Sequence, residues 1–453
     1  MYKKLLMALL FISLGVQSQN SLTGIVSPEN DLVTRVILYQ LKGTQQVYIS
    51  NSKIDNDQFK LEIPKGTLAG MYRLSFSPEV FGFVDFIFNQ ENISLKFDSR
   101  NLSNSVEFLT SEENIIYANY FAETLKVQQK LDSLQIAFFG LKDKKQDEIT
   151  IDLYKKTLRD YANIQNQYEE KSEGKLANNF IKTTQKYFAP TLFVSPQEYL
   201  NNVKQHYFDF IDFENSTLKN ATFFGEKAIE YVFYLNVSDD LQVQNALYKN
   251  AIGEIIQKTG ENNEVKSDIL TSLIYAFEQF ENIAMAGFVI DEFYSKLPAN
   301  FIDEALVDEM RSKIKLAIGN KAPEITWEES GVQKKLSELN VADNYILVFW
   351  STTCSHCLQE IPKLYEFSIG NAEIHVVAVA LEDNKTEFEQ FAKKLTKWTN
   401  IIGLKKWENE MAKEYIINST PTYFILDKDK KIIGKPEHFE DVKAYFIGSV
   451  FSK

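Results

Sequence analysis

Apolar and polar residues alternate in short runs between Leu22 and Phe108, and turn residues such as Gly43 and Gly66 separate the runs. A period of two is typical of strands that bury one face. The runs cover residues 33–39, 46–54, 59–63, 71–76, 83–88 and 93–97. This pattern predicts an antiparallel β-sandwich-like domain over residues 19–108, which we interpret as a scaffold.

The period of the apolar positions lengthens to that of an α-helix at Thr110. The predicted helical segments lie near residues 149–171, 175–188, 196–212, 224–235, 240–258, 264–281, 284–296 and 301–316. We therefore predict an all-α middle region over residues 109–317. Its many aromatic residues, among them Tyr207, Phe223 and Tyr231, either line a ligand groove or form the core, and the helical spacing favours the core.

Strand and helix patterns alternate after the linker at residues 318–323, which indicates an α/β domain over residues 318–453. Strands are predicted at residues 345–350, 374–381, 422–427 and 431–434. Helices are predicted at residues 354–368, 386–395, 408–415 and 440–450.

Residues 1–18 have the pattern of a secretory signal peptide: Lys3 and Lys4, an apolar run from Leu5 to Val16, and a small residue at Ser18. The apolar run of 12 residues is too short to cross a bilayer, so we expect cleavage rather than a stable membrane anchor. The expected location is the periplasm or cell envelope.

The 453-residue chain has a net charge of −13, from 49 basic and 62 acidic side chains. This sign opposes binding to a phosphate backbone, so we expect no nucleic acid partner. The sequence contains two cysteines, Cys354 and Cys357, and their spacing excludes a long-range disulfide.

The Cys354-Ser355-His356-Cys357 motif follows an apolar strand and begins a predicted helix, which is the context of a redox dithiol. Free backbone N–H groups at a helix start stabilise a thiolate, so Cys354 is the predicted nucleophile and Cys357 the resolving thiol. The redox centre would be the Cys354–Cys357 disulfide itself, with no other cofactor and no metal.

Two other readings of the cysteine pair are a zinc site and an inert structural disulfide. A closed zinc site needs four ligands, and the chain has no second C-x-x-C or H-x-x-x-H motif. A ring as small as the one from Cys354 to Cys357 removes little chain entropy. Redox exchange is therefore favoured over both alternatives.

Two residues near the cysteines are candidate modulators. An imidazole at His356 would stabilise the Cys354 thiolate and so raise the reduction potential. Glu360 follows Cys357 by three residues on the same helix face, where it is either a proton-exchange group or an ordinary exposed glutamate.

A second motif, Ser419-Thr420-Pro421-Thr422, directly precedes a predicted strand. We predict a cis bond before Pro421. The Thr420 backbone would then pair with an extended substrate beside the cysteines.

The segment from Phe349 to Pro362, together with Thr420-Pro421-Thr422, resembles the TlpA/ResA type of thioredoxin-fold thiol-disulfide oxidoreductases over about residues 319–453. The resemblance implies an exported enzyme with Cys354 as nucleophile, Cys357 as resolving cysteine, Glu360 as helix carboxylate and Pro421 as cis-proline. The predicted substrate contacts are Trp350, Thr420 and Pro421. The order of regions resembles multidomain exported proteins of Bacteroidetes-type bacteria.

The sequence departs from the family at three positions. Thr353 replaces the usual tryptophan, and Val348 stands where thioredoxins proper have a buried acid, so proton transfer falls on Glu360 or water. His356 replaces a common proline, as in periplasmic oxidases, which leaves the direction of electron flow open.

The expected partners are cysteine-containing envelope proteins and a membrane or periplasmic thiol that donates or accepts electrons. The long helices are compatible with a homodimer. The alternative function is an envelope binding or assembly protein whose thioredoxin domain is regulatory or non-catalytic.

Overall fold

The computed structural model describes residues 20–28, 30–76, 82–101, 105–141, 148–215 and 217–450. The predicted signal peptide at residues 1–18 lies outside them. The described residues up to Ala276 form one compact unit with Leu297–Phe301, and Phe277–Lys296 forms a second with the residues from Ile302 onward. Within the described ranges, no helix is both long and apolar enough to span a membrane.

The first unit begins with strands whose pleated, alternating side chains bury one face, as the period of two predicts. The strands are β1 (Asn20–Val26), β2 (Arg35–Lys42), β3 (Gln45–Lys53), β4 (Gln58–Ile63), β5 (Gly70–Phe76), β6 (Phe83–Phe88), β7 (Ile93–Phe97) and β8 (Glu107–Phe108). They form two four-stranded sheets, in the orders β4-β1-β7-β8 and β3-β2-β5-β6. One hydrophobic core contains side chains from both sheets, so the predicted sandwich is confirmed. The pair β1 and β7 is parallel, which differs from the antiparallel pattern expected throughout.

Helices follow the strands, and this confirms the predicted change of period. They are α1 (Glu112–Phe139), α2 (Glu148–Lys171), α3 (Ala177–Thr183), α4 (Pro196–Gln205), α5 (Phe223–Ile229), α6 (Leu241–Lys258), α7 (Asn263–Gln279), α8 (Ile283–Glu292) and α9 (Glu304–Lys315). Helix α4 begins at the Ser195 cap, whose side chain accepts from the Glu198 N–H, and it ends at Gln205 rather than near residue 212. The chain continues there in turns with i to i+3 hydrogen bonds.

The aromatic residues of the helical region include some that are buried and some that line a cavity. Tyr231 in the first unit and Phe277 in the second are both buried. Tyr207 and the buried Phe223 line a cavity of about 800 Å³ within the first unit, which we call the aromatic cavity.

The second unit holds the α/β domain predicted from residue 318. Its strands are β9 (Thr326–Glu329), β10 (Val332–Lys335), β11 (Asn344–Trp350), β12 (Ile374–Glu382), β13 (Thr399–Leu404), β14 (Thr422–Asp427) and β15 (Ile432–Gly434). Its later helices are α10 (Ser355–Ile369), α11 (Thr386–Ala392), α12 (Glu410–Glu414) and α13 (Phe439–Val450). The exposed, charged hairpin β9–β10 and the edge strand β13 were not predicted, since neither has a clear apolar alternation.

The central sheet of this unit has the order β13-β12-β11-β14-β15. Strand β11 runs parallel to β12 and antiparallel to β14. Its side chains from Tyr345 to Trp350 are all buried, and alternate positions belong to two separate cores, one on each face of the sheet. This buried strand fixes the point at which the chain emerges just before Cys354.

Candidate active site

Cys354 lies at the start of α10, directly after the loop that follows β11. It is the N-cap residue, with extended backbone angles of φ −92° and ψ 118°, and its sulfur accepts a hydrogen bond from the Cys357 N–H at 3.2 Å. The thiol also donates to the Thr420 carbonyl at 3.1 Å. Because it accepts from the Cys357 N–H, the sulfur takes the place of a capping oxygen at the helix N-terminus, in a position that favours negative charge.

The two cysteines are free thiols in different surroundings. Burial raises the pKa of the Cys354 thiol, but hydrogen bonds from the side chains of Cys357 and Thr420 and from the backbone of Cys357 and His356 outweigh it, so the pKa lies below its usual value. Cys357 is fully buried. Its burial and its hydrogen bond to Cys354 raise its pKa to about 12. The pair thus combines an accessible acidic thiol with a buried protonated one.

The Thr420–Pro421 peptide bond is cis, as the sequence predicts. The Thr420 carbonyl lies beside Cys354 although the two residues are 66 positions apart in the chain. Next to it lies a cleft of about 560 Å³, which we call the redox cleft. The cleft is lined by His356, Glu360, Ser419, Thr420, Pro421, Thr422, Tyr423, Phe424, Lys435, Pro436, Glu437 and His438.

Glu360 faces the redox cleft with its carboxylate held on several sides. Its Oε2 atom accepts the Tyr423 hydroxyl at 2.8 Å and the Phe439 N–H at 3.0 Å, and its Oε1 atom lies 3.7 Å from Nδ1 of His438. Only 20% of the side chain is exposed. Burial and this carboxylate raise the pKa of Tyr423, so its hydroxyl remains a donor. Glu360 is therefore an ordered carboxylate rather than a freely solvated one.

His356 and Trp350 lie in different surroundings. His356 is exposed on the first turn of α10 and lines the redox cleft. Trp350 is fully buried in the core, where its ring lies 5.8 Å from that of Phe391 in an edge-on arrangement. The expected substrate contact at Trp350 does not fit this position, because a fully buried ring offers no surface to a substrate.

Among the described residues, no three His, Cys, Asp or Glu side chains come together in a way that would hold a metal ion. Cys354, His356 and Cys357 accordingly do not form part of such a cluster.

Several residues at the site were not singled out from the sequence. Tyr423 and His438 meet Glu360, and Glu382 accepts the N–H of Thr352 next to the cysteine motif. Each lies on a different element from its partner, so no local spacing connects them. The one signal in the sequence was Glu382, an acidic residue at the end of the buried strand β12. Its contact with the cysteine loop can be recognised only when the pairing of β11 with β12 is known.

Comparisons with known proteins agree with this geometry. Residues 343–432 match the family model described as thioredoxin-like. The thiol-disulfide oxidoreductase ResA of Bacillus cereus is 30% identical over 134 residues, which are 27% of this chain and 71% of that protein. ResA of Geobacillus thermodenitrificans is 27% identical over 153 residues, covering 32% of this chain and 82% of its own.

Among solved structures, a domain of a possible thiol-disulfide isomerase from Cytophaga hutchinsonii is 31% identical. The match has a TM-score of 0.27 and covers 30% of this chain and 94% of that domain. On the match to ResA and the thioredoxin-like family model, together with the cysteine pair at the start of α10, the chain belongs to the ResA-like, thioredoxin-fold thiol-disulfide oxidoreductases.

Proposed function

We propose that the protein is an exported oxidoreductase that exchanges electrons with protein cysteines through the Cys354–Cys357 pair. The observation that carries the proposal is the contrast between the two thiols. Cys354 is partly exposed and has a lowered pKa, whereas Cys357 is buried within one helical turn of it. Thiol-disulfide exchange needs this contrast, because an accessible thiolate attacks the client first and the resolving thiol reacts only in the second step.

The reaction follows from the positions of the sulfurs. The Cys354 thiolate attacks one sulfur of a client disulfide, which forms a mixed disulfide and releases the first client thiolate. Cys357 then loses its proton and attacks the Cys354 sulfur, which releases the second client thiolate and closes the Cys354–Cys357 bond. The client gains two electrons and the enzyme loses two. Run backwards, the same steps oxidise a client dithiol.

Glu360 is the proposed proton acceptor for Cys357 in the second step. A thiol with a pKa near 12 is a poor nucleophile at neutral pH until a base removes its proton. The carboxylate lies on the same helix face one turn further along and opens onto the redox cleft. Its hydrogen bonds from Tyr423 and Phe439 hold it in one orientation.

The redox cleft is the proposed client site, with Thr420 and Pro421 as the substrate contacts. An extended client segment would pair its backbone with that of Thr420 and bring its own sulfur to Cys354. The proposed clients are cysteine-containing envelope proteins. A membrane or periplasmic thiol would then restore the starting redox state of the pair.

The test is reduction of insulin by the full chain, with dithiothreitol as electron source. We expect the rate to depend on Cys354, so that Cys354→Ser has no activity above the uncatalysed reaction. Ser355→Ala is the matched control, because Ser355 lies between the cysteines and is exposed. Equal rates for Cys354→Ser and the unmodified chain would overturn the proposal.

The aromatic cavity favours a second candidate function, which is a binding or assembly protein with a regulatory redox domain. Tyr117, Tyr199 and Tyr207 line this cavity, and a cavity of about 800 Å³ accommodates a sizeable ligand. Cys357→Ser separates the two candidates. An oxidoreductase lacking its resolving thiol accumulates mixed disulfides with envelope proteins, detected on non-reducing gels, whereas a pure binding protein accumulates none.

A further inference from the structure

The loop of Ser351, Thr352 and Thr353, which carries Cys354, is held by a residue from another strand. Glu382 is the last residue of β12 and is only 3% exposed. Its Oε1 atom accepts the N–H of Thr352 at 2.6 Å. A hydrogen bond from an amide to a carboxylate is among the stronger kinds in proteins.

The sheet register explains why these two residues meet. Strands β11 and β12 are parallel, and Trp350 lies opposite Ala380. Thr352 and Glu382 are each two residues beyond that pair, so both emerge at the same edge of the sheet. Thr352 is itself 93% buried, and leaving a buried N–H without a partner is costly.

Other charged side chains surround the Glu382 carboxylate. Glu387 accepts the Thr352 hydroxyl at 3.2 Å. Lys406 lies 2.9 Å from Asp383, and its pKa is raised by Asp383 first and by Glu382 and Glu387 in addition. The ammonium group therefore supplies a positive charge close to the buried carboxylate, which reduces the cost of burying it.

Hydrogen bonds within the loop connect the Thr352 backbone to the Cys354 sulfur. The Thr353 N–H donates to the Ser351 hydroxyl at 3.3 Å, and the Cys354 N–H donates to the Ser351 carbonyl at 3.2 Å. The Cys354 sulfur accepts a hydrogen bond from the Cys357 N–H, and its thiol donates one to the Thr420 carbonyl. A displacement of the Thr352 backbone would be transmitted through these bonds to the sulfur.

We propose that Glu382 is a positioning residue for the thiol-disulfide exchange, acting through the Thr352 amide to hold Cys354 at the start of α10. The inference rests on the proposed redox role of Cys354. Without the carboxylate, the loop relaxes and the sulfur loses part of its contact with the N–H groups of the helix start. The thiolate is then less stable and reacts more slowly at neutral pH.

The experiment compares Glu382→Ala, Glu382→Gln and Glu382→Asp in the full chain. Glutamine keeps an acceptor oxygen at the same reach, whereas aspartate keeps the charge but is one methylene too short. The readouts are the pH dependence of Cys354 alkylation by iodoacetamide and the rate of oxidation by glutathione disulfide. Glu389→Ala is the control, since Glu389 is an exposed carboxylate on the neighbouring helix α11.

We expect Glu382→Ala to move the alkylation midpoint to higher pH and to slow oxidation about tenfold to a hundredfold, as small displacements of reacting groups do. Glu382→Asp should move both readouts in the same direction, and Glu382→Gln should stay close to the unmodified chain. Circular dichroism checks folding, and if Glu382→Ala does not fold, the contrast between aspartate and glutamine decides.

Two results overturn the inference: Glu382→Ala and Glu382→Asp that keep the original midpoint and rate, or a glutamine variant as impaired as alanine or aspartate. The second result would mean that an acceptor oxygen at the same reach does not hold the loop, so the hydrogen bond to Thr352 is not what positions Cys354. Failure of the proposed function looks different, because the unmodified chain would then reduce no insulin in a Cys354-dependent way.

Discussion

The redox cleft and the aromatic cavity are both lined by aromatic and charged side chains, but the lining of the smaller redox cleft includes Thr420, whose carbonyl accepts a hydrogen bond from the Cys354 thiol. The aromatic cavity, at about 800 Å³, is larger than the redox cleft, at about 560 Å³. Two charged side chains that line the larger cavity are paired, Asp85 with Arg73 and Lys227 with Glu230. The redox cleft adjoins a thiol whose pKa is lowered. The comparison teaches that volume indicates room for a ligand, whereas reactivity depends on how a single atom is surrounded.

The difference has a local physical cause. Cys354 meets backbone N–H groups at the start of α10, and such groups stabilise a thiolate without any cation nearby. The tyrosines of the aromatic cavity have the opposite environment. Burial raises the pKa of Tyr207, and the neighbouring Glu230 carboxylate raises it further, so this hydroxyl stays neutral.

The sharpest test of this comparison is the alkylation of the two cysteines, and it has the largest expected effect. Because its pKa is about 12, Cys357 should be thiolate in only about one molecule in 10⁵ at pH 7, whereas Cys354 should be thiolate far more often. We expect iodoacetamide to modify Cys354 more than a thousandfold faster. Mass spectrometry of peptides from the briefly treated protein measures the ratio.

The pH dependence of alkylation provides the internal check. Below its pKa, the reactivity of Cys354 should fall about tenfold per pH unit as the thiolate is protonated, and the midpoint should lie below that of a free cysteine. Equal labelling of both cysteines would contradict the structural contrast. Tyr207→Phe serves as the control in the aromatic cavity and should leave the profile unchanged.

The features that could be predicted from the sequence are those in which the chemistry is local. Cys354, Cys357 and the start of α10 lie within four residues, so spacing and context identified the motif together. The cis bond at Pro421 was predicted from its position before a strand. The sandwich and the helical region followed from the period of their apolar residues.

The features that escaped prediction depend on long-range pairing. Glu382 meets Thr352 across 30 residues, and Tyr423 meets Glu360 across 63. The edge strand β13 could not be recognised before its pairing with β12 was known. Trp350 was expected to contact the substrate, but the alternation along β11 turns its ring into the core.

The next prediction concerns the rate at which Cys357 releases the client, and its expected effect is smaller than that on alkylation. It compares Glu360→Gln with Glu226→Gln, a control in the aromatic cavity. Loss of the carboxylate removes the proposed proton acceptor, so release of the client by Cys357 should slow about tenfold to a hundredfold. Glutamine keeps an acceptor for the Tyr423 hydroxyl, so the fold should persist. Stopped-flow measurement of the second step, with a mixed disulfide formed beforehand between Cys354 and a chromogenic thiol, gives the rate.

Glu226 lines the aromatic cavity and accepts a hydrogen bond from Thr222, so its replacement should leave that rate unchanged. If the two variants slow client release equally, Glu360 has no special part in proton transfer. If Glu226→Gln alone slows the reaction of a protein client but not that of a small disulfide, the aromatic cavity takes part in client binding.

The smallest expected effect concerns His356 and the reduction potential of the pair. We expect two groups of His356 to stabilise the Cys354 thiolate: the exposed imidazole, and the backbone N–H, whose hydrogen bond helps to lower the Cys354 pKa. Alanine removes the first group and proline removes both. Since a stabilised thiolate raises the potential, we expect a decrease of about 30 mV in His356→Ala, or about tenfold in the equilibrium constant, and a larger decrease in His356→Pro.

Equilibration in glutathione buffers measures both variants beside the unmodified chain, and unchanged potentials would show that neither group controls the pair. A fall only in the proline variant would assign the effect to the helix start, the feature that distinguishes the redox cleft from the aromatic cavity.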